Sequence, residues 1–262
     1  MAKVKELSFK ISPEKVDSLI STLKDLSTID KKVVFKIDSE NTLIYSKVGE
    51  GNSVNAFKSF IYKTTDLFEI GKFDETINFV SNDSKEMYRK LQILNSFEKE
   101  TSGKFFYDML GDSYYSERIA LRAGTKLKLN FTCDDPTYSN NKISVEAVKE
   151  LMNTDNSNFS FDLKSDDFLN IKRLASTDAE NDVFYLNTIE KEGKYYVSVG
   201  ESMWDLTLSD INYEDSITIS FPKKYFKSIT IENDSAKVYV FDNMIMINNP
   251  SSDMLISTEL SA

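Results

Sequence analysis

The strongest constraint on the fold is an internal repeat, in which two stretches of the chain follow the same order of elements. Residues 9–50 and 161–201 each open with Phe-x-hydrophobic, continue with a serine, acidic residues and apolar positions at helical spacing, and end in Val-Gly-Glu. A repeated order of elements indicates a chain built from copies of one structural unit. We therefore expect two similar domains, residues 1–132 and 159–262, joined by a connector over residues 133–158.

Each copy begins with a predicted helix. Ser12 is placed to cap the first one, with Pro13 at its first position and Glu14 in its first turn. The second has Ser165 in the capping position, followed by Asp166 and Asp167. Apolar residues recur at spacings of three and four in both, which predicts one buried face per helix: Val16, Leu19, Ile20, Leu23 and Leu26 in the first, and Phe168, Ile171, Leu174 and Ala175 in the second.

The remainder of each copy predicts mainly strands. Residues 33–37 and 42–48 alternate with β-branched and aromatic side chains, as do residues 183–189 and 194–200. A further strand, a short helix and three more strand candidates follow in both copies, and a helix over 144–152 is predicted in the connector. The expected fold class is α+β, with two repeated domains that are each an antiparallel β-sheet structure with two short helices.

Composition excludes several kinds of chemistry. The chain has no histidine and one cysteine, so Ser-His-Asp and Cys-His nucleophile systems and the usual zinc sites are excluded. It has no G-x-x-x-x-G-K-[ST] loop for a nucleoside triphosphate. An enzyme would have to use carboxylates, Lys, Tyr or Ser, and abundant carboxylates are expected on any acidic surface. We expect no catalytic site, no metal and no cofactor.

The expected location is the cytoplasm. No run of about 18 apolar residues predicts a transmembrane helix, so no membrane partner is expected. The first ten residues lack the apolar core of a signal peptide. The single Cys133 cannot form an intramolecular disulfide, which suits a reducing compartment.

Positive charge is concentrated on the predicted helices of an acidic chain. The chain has 32 basic and 42 acidic residues and a net charge of −10. Residues 221–229, Phe-Pro-Lys-Lys-Tyr-Phe-Lys-Ser-Ile, hold three lysines and no acid, and two of these lysines lie near a helix start where the macrodipole disfavours cations. For one helix alone, the ordinary reading is a solvated face beside an apolar stripe. Four helices in two matching copies favour a shared basic surface.

The sequence resembles the DNA sliding clamps, in particular the two-domain phage type that serves as a polymerase processivity factor. The resemblance is carried mainly by FSFDLKSDDFLNIKRLAS, NDVFYLNTIEKEGKYYVSV and VYVFDNMIMINNPSSDMLISTEL, within residues 159–260. It is weaker over 1–132, where the repeat supports it.

This resemblance implies a homotrimeric ring whose helices surround duplex DNA, with DNA polymerase and an ATP-dependent clamp loader as partners. Basic side chains lining the hole would hold the phosphate backbone without reading sequence. The candidates for this DNA-facing surface are Lys15, Lys24, Lys85, Arg89, Lys90, Lys172, Arg173, Lys223, Lys224 and Lys227.

The resemblance also implies sites for other subunits and for partner peptides. Residues 126–132 of one subunit would pair with 203–209 of the next, with Lys128, Phe131, Trp204 and Leu206 at the contact, although Trp204 could equally be buried within its own domain. An apolar pocket for partner peptides is expected near the connector and the C-terminal region. Its candidates could also be ordinary core or surface residues: Tyr138, Ile143, Val145 and Leu255.

Three alternatives to the clamp remain at this point. A β-rich phage structural subunit would explain the strands and the acidity but not the basic helices. A monomeric processivity factor of the same fold would hold DNA by charge alone. A carboxylate-based hydrolase is the weakest alternative, because no distinctive pair of acids is present.

Overall fold

The computed structural model describes residues 4–49, 54–97, 99–133, 143–177 and 182–258. They form two compact units, one of Met1–Lys47 and Ser59–Glu150 and the other of Val48–Lys58 and Leu151–Ala262. The chain passes from the first unit to the second between residues 150 and 151, which lie within the predicted connector, residues 133–158. The segment 48–58, from the first half of the sequence, belongs to the second unit.

The elements follow one another in two series. The first is β1 (Lys5–Ile11), α1 (Pro13–Leu26), β2 (Val33–Ile37), β3 (Asn41–Val48), β4 (Ala56–Lys63), α2 (Thr64–Leu67), β5 (Glu69–Ile70), β6 (Ile77–Ser81), α3 (Ser84–Asn95), β7 (Thr101–Leu110), β8 (Ser113–Ala123), β9 (Leu127–Thr132) and α4 (Val145–Leu151). The second is β10 (Phe159–Lys164), α5 (Ser165–Ala175), β11 (Val183–Lys191), β12 (Lys194–Glu201), β13 (Trp204–Ile211), β14 (Thr218–Pro222), α6 (Lys223–Phe226), β15 (Ser235–Val240), β16 (Met244–Asn248) and β17 (Asp253–Ser257).

Antiparallel sheets dominate both units, as predicted. In the first unit the strands lie in the order β4-β3-β2-β6-β8-β7-β1-β5, and β9 pairs with β8. One pairing in this sheet is parallel, between β6 and the start of β8. The second unit has the series β10-β15-β16-β17 and a four-stranded sheet in the order β13-β12-β11-β14.

The apolar stripes predicted for the two long helices are buried. All five predicted residues of α1 are 5% exposed or less, and Phe168, Ile171 and Ala175 of α5 are buried as well, whereas Leu174 is half-buried. The core of the first unit packs α1 and α3 against aromatic residues of the sheet, with the ring centroids of Phe9 and Phe105 4.4 Å apart. The repeat therefore predicted which helix faces pack on the sheets.

The helix starts differ from the sequence prediction in detail. Ser12 is the N-cap of α1, but its side chain makes no capping hydrogen bond. Ser165 is the first residue of α5 rather than its cap, because its hydroxyl donates to the carbonyl of Asn233, 3.1 Å away. Asp83 caps α3, where its carboxylate accepts a hydrogen bond from the Glu86 N–H at 2.9 Å.

Candidate nucleic-acid interface

In the first unit, α1 and α3 lie side by side and share polar contacts at their surface. The side-chain amide of Asn95 donates to the carboxylate of Asp17 at 2.7 Å. The ammonium of Lys24 on α1 lies 5.8 Å from the ring centroid of Tyr88 on α3. The outward sides of the two helices therefore form one surface.

Five basic side chains of the predicted DNA-facing set belong to this surface, and they differ in availability. Lys24, Lys85 and Arg89 are exposed, and the last two are one helical turn apart. Lys15 is half-buried and donates to the carbonyl of Thr65 at 2.8 Å. Lys90 is 2.5 Å from the carboxylate of Glu86, in an i,i+4 ion pair. Such exposed pairs contribute little to stability.

The second unit brings α5 and α6 together in the same way. The rings of Phe168 on α5 and Phe226 on α6 are 5.7 Å apart and meet edge to face. The ammonium of Lys227, just after α6, lies 3.4 Å from the carbonyl of Ala175 at the end of α5. A cation at this position is favoured by the negative end of the helix macrodipole.

The basic residues of these two helices are mostly exposed. Arg173, Lys224 and Lys227 are exposed, and Lys172 is half-buried with its ammonium 4.3 Å from the ring centroid of Phe168. Phe221, Tyr225, Phe226 and Ile229 are all buried, as the pattern of residues 221–229 predicted. The helix itself is shorter than predicted, since α6 covers only Lys223–Phe226.

Lys223 is the exception, and the prediction that it faces DNA is wrong. Its side chain is only 6% exposed, and its ammonium is 2.7 Å from the carboxylate of Glu201, whose side chain is fully buried. The cause is the entry of the chain into α6 directly from β14. The N–H of Lys223 donates to the carbonyl of Asp182, beside β11, so its side chain points back towards the end of β12.

This ion pair explains a feature of the sequence that the DNA-facing interpretation left unexplained. A lysine at a helix start is unfavourable for the macrodipole, and Glu201 supplies the negative charge that compensates it. Glu201 is the glutamate of the second Val-Gly-Glu, which ends the second copy of the repeat. Acid and base are 22 positions apart, and no local pattern joins residues at that distance.

The two segments expected at the subunit contact are both edge strands. Among the described residues, β9 pairs only with β8 and β13 pairs only with β12. Lys128 is exposed on β9, whereas Phe131 is 7% exposed and belongs to the core of its unit. Trp204 and Leu206 are half-buried, and the ring of Trp204 lies 5.8 Å from that of Phe184. Each edge offers free backbone groups, while the larger side chains point inward.

The residues expected to line a partner-peptide pocket are not presented as such a surface. Val145 and Leu255 are 7% and 3% exposed and are core residues of their units, so that part of the prediction is wrong. Ile143 is half-buried. Tyr138 lies outside the described residues.

The part of the chain that the structure describes has neither a metal-binding cluster nor a membrane-spanning helix. It contains no group of three acidic or cysteine side chains that could hold a metal ion. No helix within it is long and apolar enough to cross a membrane.

Similar proteins are found by comparison with solved structures and not by comparison of sequences. No protein-family model and no curated protein matches the sequence. The Helicobacter pylori β clamp in complex with diflunisal superposes with a TM-score of 0.64 at 10% identity, over 98% of this chain and 65% of that one. The β chain of DNA polymerase III from Streptococcus pneumoniae superposes with a TM-score of 0.63 at 9% identity, over 98% and 66%.

Proliferating cellular nuclear antigen from Entamoeba histolytica superposes with a TM-score of 0.60 at 15% identity, over 99% of this chain and 100% of that one. The fold is that of a sliding clamp. The chain spans about two thirds of the bacterial clamps and the full length of the Entamoeba protein. The fold class predicted from the repeat is therefore confirmed.

Proposed function

We propose that this protein is a DNA sliding clamp of the phage type, a homotrimeric ring that encircles duplex DNA and tethers a replicative DNA polymerase. It has no catalytic role, and an ATP-dependent loader places it on DNA. The observation that carries the proposal is the exposed positive charge on α1, α3, α5 and α6 of a clamp-like fold whose net charge is −10.

Electrostatics supports this assignment of the helix surfaces. Duplex DNA carries one negative charge per about 1.7 Å of its axis, so a basic lining holds it without base contacts. An acidic exterior repels DNA from the outside of the ring. The DNA-facing side chains in this proposal are Lys15, Lys24, Lys85, Arg89, Lys90, Lys172, Arg173, Lys224 and Lys227.

The edge strands support ring closure. A ring of identical subunits needs a head-to-tail interface made of two different surfaces. Strands β9 and β13 are two such surfaces, because each has one side without a strand partner among the described residues. Pairing them between subunits removes both exposed edges. The similarity to the Entamoeba protein over its full length supports a subunit of two repeated domains.

The deciding experiment measures retention on DNA. The protein is loaded onto nicked circular plasmid by a clamp loader, and the amount bound is followed before and after the circle is cut once. A ring stays on the circle and slides off the linear form, whereas binding by charge alone is the same on both. Equal retention on circular and linear DNA would refute enclosure.

A charge-reversal variant tests the helix surface. Replacement of Lys85, Arg89, Arg173 and Lys224 by glutamate should lower the amount loaded onto the circle at least about tenfold, because four phosphate contacts that hold DNA during loading are lost. The matched control reverses four exposed lysines outside these helices: Lys63, Lys72, Lys99 and Lys194. An equal loss in the control would attribute the effect to net charge.

The solution mass separates the ring from its alternatives. A species near three times the chain mass of 30.0 kDa supports the ring. A monomer at every concentration favours a processivity factor of the same fold without enclosure, or a structural subunit.

A further inference from the structure

A basic cleft lies on the side of the first-unit sheet that faces away from α1 and α3. It has a volume of about 610 Å³ and opens over strands β1, β7, β8 and β9. Side chains alternate along these strands, so Phe105 and Leu121 are buried under the helices while Lys104 and Arg122 are exposed on the opposite face. The cleft is therefore separate from the helix surface proposed to face DNA.

The cleft has more basic than acidic side chains, and two of its basic side chains are paired with acids. Among the described residues its basic side chains are Lys10, Lys104, Arg118, Arg122 and Lys128, and one acid, Glu69, lines it. Lys104 pairs with Glu6 and Lys10 with Glu100, both at 2.7 Å, and the second pair raises the pKa of Lys10 through its hydrogen bond. All four side chains are about half exposed, so these pairs are weak.

Two of the remaining three cations are placed unfavourably for the isolated chain. Arg122 on β8 lies directly opposite Lys128 on β9 in the register of the two strands. Like charges in that position destabilise a strand pair. A bound anion would remove this repulsion, and both side chains line the cleft from neighbouring strands.

Arg118 is held in a defined position on the same face. Its guanidinium carbon lies 4.1 Å from the ring centroid of Phe106 on β7. A stacked guanidinium loses less freedom when it binds a carboxylate, and its flat fork can hold both oxygens at once. Arg118 and Arg122 are four positions apart on one strand, which places them about 13 Å apart at a rise of about 3.3 Å per residue.

This arrangement favours an acidic peptide over a nucleic acid. Affinity for nucleic acid grows with the number of phosphates neutralised, and three uncompensated cations on a chain of net charge −10 provide few. A short peptide instead brings a small number of carboxylates to fixed places. In an extended peptide, carboxylates four residues apart have the same 13 Å spacing, from about 3.3 Å per residue.

We propose that this cleft docks a short, extended, acidic segment of a partner protein, with two carboxylates four residues apart bound by Arg118 and by the Arg122–Lys128 pair. The segment lies along β8 on the face of the sheet, so the edge of β9 stays available to a neighbouring subunit. Docking here leaves the helix surface available to DNA, and Lys128 also belongs to the segment expected at the subunit contact.

The test uses the full-length chain and a fluorescein-labelled peptide of serine and threonine that carries two glutamates four positions apart. Fluorescence anisotropy should show binding that is lost when both glutamates are replaced by glutamine, a comparison that needs no variant of the protein. A peptide with the two glutamates adjacent should bind at least about threefold more weakly, because only one basic site is reached. Equal binding of all three peptides would overturn the proposal.

Variants locate the site. Arg118→Gln with Arg122→Gln should raise the Kd at least about tenfold, since two charge-assisted contacts are lost. The Kd of the variant with Arg118→Lys and Arg122→Lys should lie between those of this variant and the unaltered chain, because lysine keeps the charge but lacks the flat guanidinium fork. The matched control, Lys63→Gln with Lys194→Gln, removes the same charge from exposed lysines outside the cleft. An equal loss in the control would overturn the proposal.

Two competing occupants are outcomes of the same experiment. If a single-stranded oligothymidylate displaces the peptide and binds more tightly, the cleft is a nucleic-acid site and the proposal fails. If sedimentation shows that the arginine-to-glutamine variant loses self-association, the occupant is a second copy of this chain and the proposal also fails. Unchanged assembly together with weaker peptide binding supports it.

Discussion

The buried pair of Lys223 and Glu201 allows a quantitative test of why the chain has a lysine at the start of α6. Replacement of Lys223 by methionine removes the ammonium 2.7 Å from a carboxylate whose side chain is fully buried. At this distance the attraction is about 6 kcal/mol for an effective dielectric constant of about 20. Neither carboxylate oxygen accepts a well-aligned hydrogen bond from the described residues, so Lys223 is the charge that offsets the carboxylate of Glu201 within them.

Removing one member of a buried ion pair usually costs about 3–5 kcal/mol, because the remaining charge stays desolvated. We expect the free energy of unfolding of the second unit to fall by that amount in the Lys223→Met variant. With a urea dependence of about 2 kcal/mol per molar, the midpoint should fall by roughly 2 M. The fluorescence of the single tryptophan reports on unfolding of the second unit, since Trp204 packs against Phe184 beside this pair.

Two control variants separate the effect of breaking the buried pair from other effects of the substitution. Lys224→Met removes the same charge from the next residue, which is exposed, and should change the free energy of unfolding by less than about 0.5 kcal/mol. Lys223→Met combined with Glu201→Leu removes both charges and should recover most of the loss. If Lys223→Met unfolds at the same urea concentration as Lys224→Met but loads less well onto circular DNA, the buried pair is refuted and Lys223 returns to the DNA-facing set.

Two further predictions concern packing and pH. Gly103→Ala should lower the free energy of unfolding by about 1–3 kcal/mol, because the new Cβ would lie 2.2 Å from the ring of the buried Phe9. In the same urea titration the control Gly71→Ala should change it by less than about 0.5 kcal/mol, because a Cβ at Gly71 would have no atom within 4 Å. Burial raises the pKa of Asp253, so its ionised form is disfavoured in the folded state and stability falls as pH rises through the folded pKa. Asp253→Asn should therefore raise the urea midpoint at pH 7, and the gain should shrink in acid; an equal gain at every pH would contradict this cause.

The sequence was sufficient to predict those parts of the fold that depend on local periodicity. The buried faces of α1 and α5 followed from spacings of three and four, and most strands followed from alternation. It did not predict β4, where Ala56, Phe57 and Lys58 are all buried and alternation is lost. Nor did it predict that Ser165 would bond to Asn233, since that contact joins residues far apart in the sequence.

The candidate site was predictable to a smaller extent. Exposure of Lys85, Arg89, Arg173 and Lys224 follows from their place opposite the apolar stripes of their helices. Burial of Lys223 depends on the pairing of β14 with β11 and on the position of Glu201, which are tertiary contacts between residues far apart in the sequence. Val145 and Leu255 show the same limit, because an apolar residue in a sequence does not reveal whether it packs in the core or faces a ligand.

The assignment of residues 48–58 to the second unit has a consequence for the order in which the protein can fold during synthesis. The carbonyl of Asn55 accepts a hydrogen bond from the Ser257 N–H at 3.0 Å, and the ammonium of Lys58 donates to the carbonyl of Ser228 at 3.3 Å. At roughly 5–20 residues per second, the ribosome makes this segment about 10–40 s before it makes β17. During that interval the segment lacks these contacts with Ser228 and Ser257, and the edge that later pairs with β17 remains open to pairing with other nascent chains. A cell that produces this protein rapidly must therefore keep neighbouring unfinished copies apart until the last strand emerges.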